Sequence, residues 1–208
     1  YTGFVFSAFG SDYRKQLVLE FEHLRTLGLP SEALRREDYQ KRVPLNEVFV
    51  PLSLVPERRP SMTIHLAALL QSQSPSVVLG DPGTGKTTLL NFLALLFAGG
   101  ASLQGFQPSP RRLPLLIRLR DFVALQHKQP EMDFIGFLES RARSDFALPH
   151  AHRAFFEATL RMGEAIVLFD GLDEVVTEPY SIHFADVCEM VERVKRERRA
   201  ARTKNALR

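Results

Sequence analysis

Nine consecutive residues restrict this chain more than any other feature: Gly80-Asp81-Pro82-Gly83-Thr84-Gly85-Lys86-Thr87-Thr88. The pattern Gly-x4-Gly-Lys-Thr is a phosphate-binding signal that a strand before and a helix after strengthen, and the flanks predict that setting. Val77, Val78 and Leu79 read as a short, fully apolar strand before it. Leu89, Leu90, Phe92, Leu93, Leu95, Leu96 and Phe97 read as a helix after it, stopped by Gly99 and Gly100. That helix is apolar on nearly all sides, which predicts burial. Glycines at 80, 83 and 85 let the backbone curl so that successive N–H groups point inward. The helix aims its positive end at the same spot. Lys86 supplies a full positive charge to the β and γ phosphates, Thr87 offers a hydroxyl to Mg²⁺, and Pro82 stiffens the loop.

The remaining periodicity predicts helices alternating with buried strands. Leu17, Phe21, Leu24 and Leu27 share one face of a helix over 12–29, ended by Gly28 and Pro30. A second, charged helix is predicted over 31–42 with Ser31 as its cap. Residues 47–54 look extended, with Val48, Val50, Leu52 and Leu54 alternating against Phe49, Pro51 and Ser53, and Pro51 makes this an edge strand or docking segment. Pro56 to Pro60 reads as a linker, and Ser61 as the cap of a helix to about Gln73. After a loop over 101–113, Leu115–Leu119 is a second buried strand, followed by helices at 132–146 and 150–162. Ala165–Phe169 is a third buried strand, and a last helix covers about 180–200. Strands alternating with helices predict an α/β fold with a mainly parallel sheet.

The third strand delivers Asp170 to its carboxyl end, the edge where ligands sit in open α/β sheets. A carboxylate there holds Mg²⁺ directly or through water. Asp173 and Glu174 follow at once, and one of them is placed to orient or deprotonate an attacking water. Three acids within five residues repel one another unless a cation sits among them.

The stretch Gly80–Thr88, followed by Leu168-Phe169-Asp170-Gly171-Leu172-Asp173-Glu174, resembles the NACHT family of signal-transduction P-loop NTPases. Two further segments agree with bacterial members: Phe49-Val50-Pro51-Leu52, and Leu115 through Phe122. The likeness runs over roughly residues 44–190. It implies a three-layer P-loop fold, ATP or ADP with Mg²⁺, slow hydrolysis, and a nucleotide-controlled switch from a closed monomer to a homo-oligomer, in bacterial defence or regulation. By position, Gly80, Asp81, Pro82, Gly83, Thr84, Gly85, Lys86, Thr87 and Thr88 hold phosphates, Thr87 and Asp170 serve Mg²⁺, and Asp173 or Glu174 serves hydrolysis. Arg120, read as the end of the second strand, is placed to sense the γ-phosphate. A non-hydrolysing nucleotide-binding scaffold, an AAA-type ATPase and a small-molecule kinase are the alternatives.

The resemblance also divides the chain: a helical segment at 1–43, a linker strand and helix at 44–75, a partial nucleotide-binding domain at 76–200 and a basic tail at 201–208. Family members continue into a sensor strand, inserted between the P-loop strand and the acidic strand, and a helical lid. The chain starts at Tyr1 and stops at Arg208, where that strand is expected, so the resemblance implies a fragment with an open sheet edge, weak nucleotide binding and a tendency to aggregate.

Composition sets the remaining bounds. The 208 residues are 45% apolar and 25% charged, which excludes a disordered or collagen-like chain. The richest apolar run, Leu89–Ala98, is too short to span a membrane. The absence of a signal peptide and the single Cys188 point to a cytoplasmic, reducing compartment. Eight basic residues against Glu197 give Arg193–Arg208 a charge of +7, leaving −4 elsewhere within the net +3. That tail reads as a solvated helix end, with nucleic acid or anionic lipid as the alternative partner. His150 and His152 read as exposed imidazoles at a helix start, and Cys188 as a packing or surface residue.

Overall fold

The computed structural model describes residues 2–23, 43–57, 59, 61–72 and 75–175. The helices read at 31–42 and 180–200, Leu24, Leu27, Gly28, Pro30, Cys188 and the basic tail lie outside them. In chain order the elements are α1 Thr2–Phe21, α2 Leu45–Val48, β1 Ser53–Leu54, β2 Ile64–His65, α3 Leu66–Gln71, α4 Lys86–Ala98, β3 Leu113–Arg118, α5 Leu119–Gln126, α6 Phe134–Ser144, α7 Arg153–Met162, β4 Ala165–Asp170 and α8 Leu172–Val175. The chain divides into two compact units, Tyr1–Gln16 with Pro110–Arg208, and Leu17–Ser109. The fold mixes helix and sheet, with a small parallel sheet and, among the described residues, no barrel.

The first unit is built on that parallel sheet. Leu113 faces Ala165, and the pairing runs rung by rung to Arg118 facing Asp170. Parallel neighbours need a long crossover, and α5, α6 and α7 supply it. β3 is a continuous apolar run: residues 113–117 are all buried, with Leu115 and Leu116 at 0% exposure, as expected for a strand covered on both faces. β4 is expected to be equally buried, but only Leu168 is; the rest are half-buried. Arg141, from α6, lies buried and donates from Nη1 to the Leu116 carbonyl of β3 at 3.0 Å. Tyr13 of α1 meets Phe146 and Phe156 edge-on, at 5.4 and 5.7 Å between ring centres. Arg14 donates to the carbonyls of Pro110 and Arg112.

The second unit is organised by α4. Its residues Leu89 and Phe92–Phe97 are buried, as the apolar run predicts. Gly99 ends it, the Gly99 and Gly100 N–H groups turning back to the Leu96 and Leu95 carbonyls. Phe49 stacks on Phe92 with ring centres 3.7 Å apart and planes 9° apart.

Several boundaries differ from the sequence expectation. α1 begins at Thr2, ten residues before the predicted start, and its buried stripe is Tyr13, Leu17 and Phe21. Residues 45–48 are helical rather than extended. There Val48 and Val50 are exposed while Phe49 turns in, because its ring has Phe92 to stack on. The helix expected from Ser61 begins at Leu66, since Ile64 is taken by antiparallel pairing with Leu54. Val77–Leu79 forms no strand: Val77 is 62% and Leu79 75% exposed, and no described residue pairs with them. Leu119 opens α5 instead of closing β3.

Candidate functional site

The phosphate-loop candidate lies within the second unit. Residues 80–85 curl tightly into α4. The Thr84 hydroxyl donates to the Asp81 carbonyl at 2.8 Å, and the Thr84 N–H reaches the same oxygen at 3.2 Å. Thr84 also sits against Gly80, where an added Cβ would lie 2.8 Å from its Oγ1, so a larger residue there would displace the Thr84 hydroxyl. Gly85 is the N-cap of α4, with φ +88°, and Gly83 has φ +83°. A side chain at such a φ costs roughly 1–2 kcal/mol, which is why the loop carries glycine at both.

The start of α4 has no side-chain cap, and its first turn holds no acid. A helix start of this kind presents partial positive charge. Lys86, first residue of the helix, folds its ammonium back over the loop and donates to the carbonyls of Gly80 at 2.5 Å and Asp81 at 3.2 Å. A full positive charge thus stands over a concave run of backbone. Gly80, Asp81, Pro82, Gly83, Thr84 and Thr87 are exposed, while Gly85, Lys86 and Thr88 are half-buried. The nine loop residues singled out in the sequence are therefore brought into one turn and one helix start.

The acidic candidates lie in the first unit. Asp170 is the last residue of β4 and is half-buried. Gly171, at φ +80°, turns the chain into α8, where Asp173 is exposed. Glu174 belongs to α8, and its side chain lies outside the described ones. Arg120 is not at a strand end. It is exposed on α5, because the chain turns helical at Leu119. The cation that closes β3 is Arg118, half-buried and facing Asp170 in register. Sequence reasoning missed it by ending the strand one residue too late. The signal was available, since Arg118 is the first charged residue after Leu113–Ile117, as Asp170 is after Ala165–Phe169.

The Thr87 hydroxyl belongs to the second unit and the Asp170 carboxylate to the first, and each is an oxygen donor. Among the described residues no group of three or more His, Cys, Asp or Glu forms a protein-only metal cage.

A cleft of about 370 Å³ opens elsewhere in the first unit, beside the 129–133 turn. Its cation, Arg153, is already paired with Asp133 and Glu157, and both bonds raise its pKa. It is not a vacant anion site. His150 and His152 are exposed at the start of α7, as expected. No helix among the described residues is long and apolar enough to cross a membrane. Comparison with family models, curated proteins and solved structures finds no match for this chain.

Proposed function

We propose that this chain is the nucleotide-binding part of a NACHT-type P-loop switch that takes ATP or ADP with Mg²⁺. The observation that carries the reading is the 80–88 turn. Two positive-φ glycines, an uncapped helix start and one ammonium converge within a few residues. That combination suits a polyanion, because amide dipoles and a single charge bind phosphate without the bulk of side chains. Lys86 exchanges its two carbonyl contacts for phosphate oxygens. Thr87 is the proposed oxygen ligand of Mg²⁺ at the loop, Asp170 is the candidate carboxylate of the other unit, and the ion's contribution would be to neutralise phosphate charge. Asp173 or Glu174 is the proposed base for a slow hydrolysis. A switch follows only if the oligomer-forming state binds ATP better than the closed one does.

The test is equilibrium binding of a fluorescent ATP analogue with Mg²⁺, together with phosphate release. Lys86→Ala is expected to weaken binding about tenfold or more, the loss of at least ~1.4 kcal/mol expected for a charge-assisted contact. Glu174→Gln is expected to keep binding and lose release. Equal affinity of wild type and Lys86→Ala overturns the nucleotide reading. Binding by wild type with no phosphate release in any variant favours the scaffold reading.

A further inference from the structure

The hydrogen bonds of the 80–86 turn converge on two carbonyls. The Asp81 oxygen accepts from the Thr84 hydroxyl at 2.8 Å, the Thr84 N–H at 3.2 Å and the Lys86 ammonium at 3.2 Å. The Gly80 oxygen accepts from the Lys86 ammonium at 2.5 Å. A carbonyl oxygen has two lone pairs, so the Asp81 oxygen has more donors than it can fully use. The hydroxyl makes the short bond there, and the ammonium makes one of the long ones. If Lys86 leaves, both lone pairs of Asp81 stay matched as long as the Thr84 hydroxyl is in place. Gly80 is exposed, so water takes over the bond that the ammonium gives up on its oxygen.

We infer that the Thr84 hydroxyl releases Lys86 from the loop to the phosphate chain, an inference that rests on the reading of the 80–88 turn as the nucleotide site. What matters is the difference between two states of the ammonium. With Lys86 on the loop, the hydroxyl is one donor too many on a filled acceptor and adds little. With Lys86 on phosphate, the hydroxyl is the second donor and keeps the Asp81 carbonyl turned in. It therefore favours the second state. Without the hydroxyl, Lys86 becomes the second donor on Asp81, and a polyphosphate has to draw it from a bond the loop needs. The Thr84 hydroxyl is thus spent on the loop and not on the ligand. Thr84 acts through Lys86 and is a positioning residue.

The experiment is a double-mutant cycle on the 208-residue chain, read by binding of the fluorescent ATP analogue with Mg²⁺ and by its displacement with inorganic tripolyphosphate. Thr84→Val, which keeps the shape and removes the donor, is expected to weaken both ligands about two- to fivefold, the scale of one neutral hydrogen bond. Thr84→Ser, which keeps the hydroxyl, is expected to stay near wild type. In a Lys86→Ala background, Thr84→Val is expected to cost nothing further, because there is no ammonium to release. If Thr84→Val fails to fold, Thr84→Ala gives the same measurement. An equal loss in both backgrounds overturns the inference, since Thr84 then only shapes the turn. A serine variant as weak as the valine one overturns it too, as does a loss seen with the analogue but not with tripolyphosphate. If Lys86→Ala weakens binding while Thr84→Val leaves it unchanged or tighter, only the role of Thr84 falls. If Lys86→Ala binds as wild type does, the nucleotide reading falls and takes the inference with it.

Discussion

Two apolar runs, Val77–Leu79 and Leu113–Ile117, look alike in sequence and end in opposite states. The second is a strand buried along its whole length. The first has no ladder, and two of its three side chains are largely exposed. Local apolarity is therefore not what makes a strand here. β3 has β4 beside it in continuous register, whereas among the described residues 77–79 has no neighbour. The turn that follows 77–79 nonetheless takes its expected shape, because its determinants lie within the turn: glycine at the positive-φ positions and the bonds of Thr84 and Lys86.

Truncating one residue in each run separates the effect of a strand partner from that of local apolarity. Leu116→Ala, at a position with 0% exposure, is expected to cost about 3 kcal/mol in chemical denaturation, the loss of transfer energy plus a cavity. Leu79→Ala, at 75% exposure, is expected to change stability by less than ~0.5 kcal/mol. A comparable loss at Leu79 would mean that the 77–79 run is covered after all. The next largest effect tests why β3 is well satisfied. Arg141→Met keeps the stem but removes the donor to the Leu116 carbonyl. The expected cost is about 2 kcal/mol for a buried acceptor left unpaired, and a cost near zero would show that the guanidinium is dispensable there.

These contrasts also mark what the sequence could tell. The loop, α4, α6, α7 and the parallel pair were legible, since their signals are short-range: glycine placement, helical periodicity, and apolar runs bounded by charge. What failed was decided by distant partners. Phe49 turns in because Phe92 is there to stack on. Ile64 leaves the expected helix to pair with Leu54. Arg118 rather than Arg120 ends β3, because the strand gives way to helix one residue early. No local pattern encodes the neighbour that decides each case.

A smaller effect separates loop shape from loop chemistry. At Gly85 an added Cβ meets nothing within 4 Å, so space is not limiting and only the backbone angle is strained. Gly85→Ala is expected to cost about 1–2 kcal/mol in thermal or chemical unfolding and to weaken nucleotide binding as the helix start shifts. Full stability together with lost binding would assign Gly85 to phosphate contact alone.

The smallest expected effect comes from the other unit and has the opposite sign. Ala147, between α6 and α7, has φ +50°, and it is the one described residue other than glycine with a positive φ. Its neighbours hold it there. Phe146 is buried under the Arg141 guanidinium, 5.0 Å from the ring centre, and the Leu148 N–H returns to the Ala142 carbonyl at 3.0 Å. A strained angle persists only where the surroundings over-determine it. Ala147→Gly relieves roughly 1–2 kcal/mol of strain and gives back ~0.4–1 kcal/mol through the freer unfolded chain. The net expectation is a gain of about 0.5 kcal/mol, visible as a small rise in unfolding midpoint with no change in nucleotide affinity. The phosphate turn has glycine at its two positive-φ positions, and the helix hairpin meets the same geometry with alanine because packing on both sides of Ala147 carries the strain. A loss of stability in Ala147→Gly would mean that the hairpin's shape comes from its contacts alone and stores no strain at that residue.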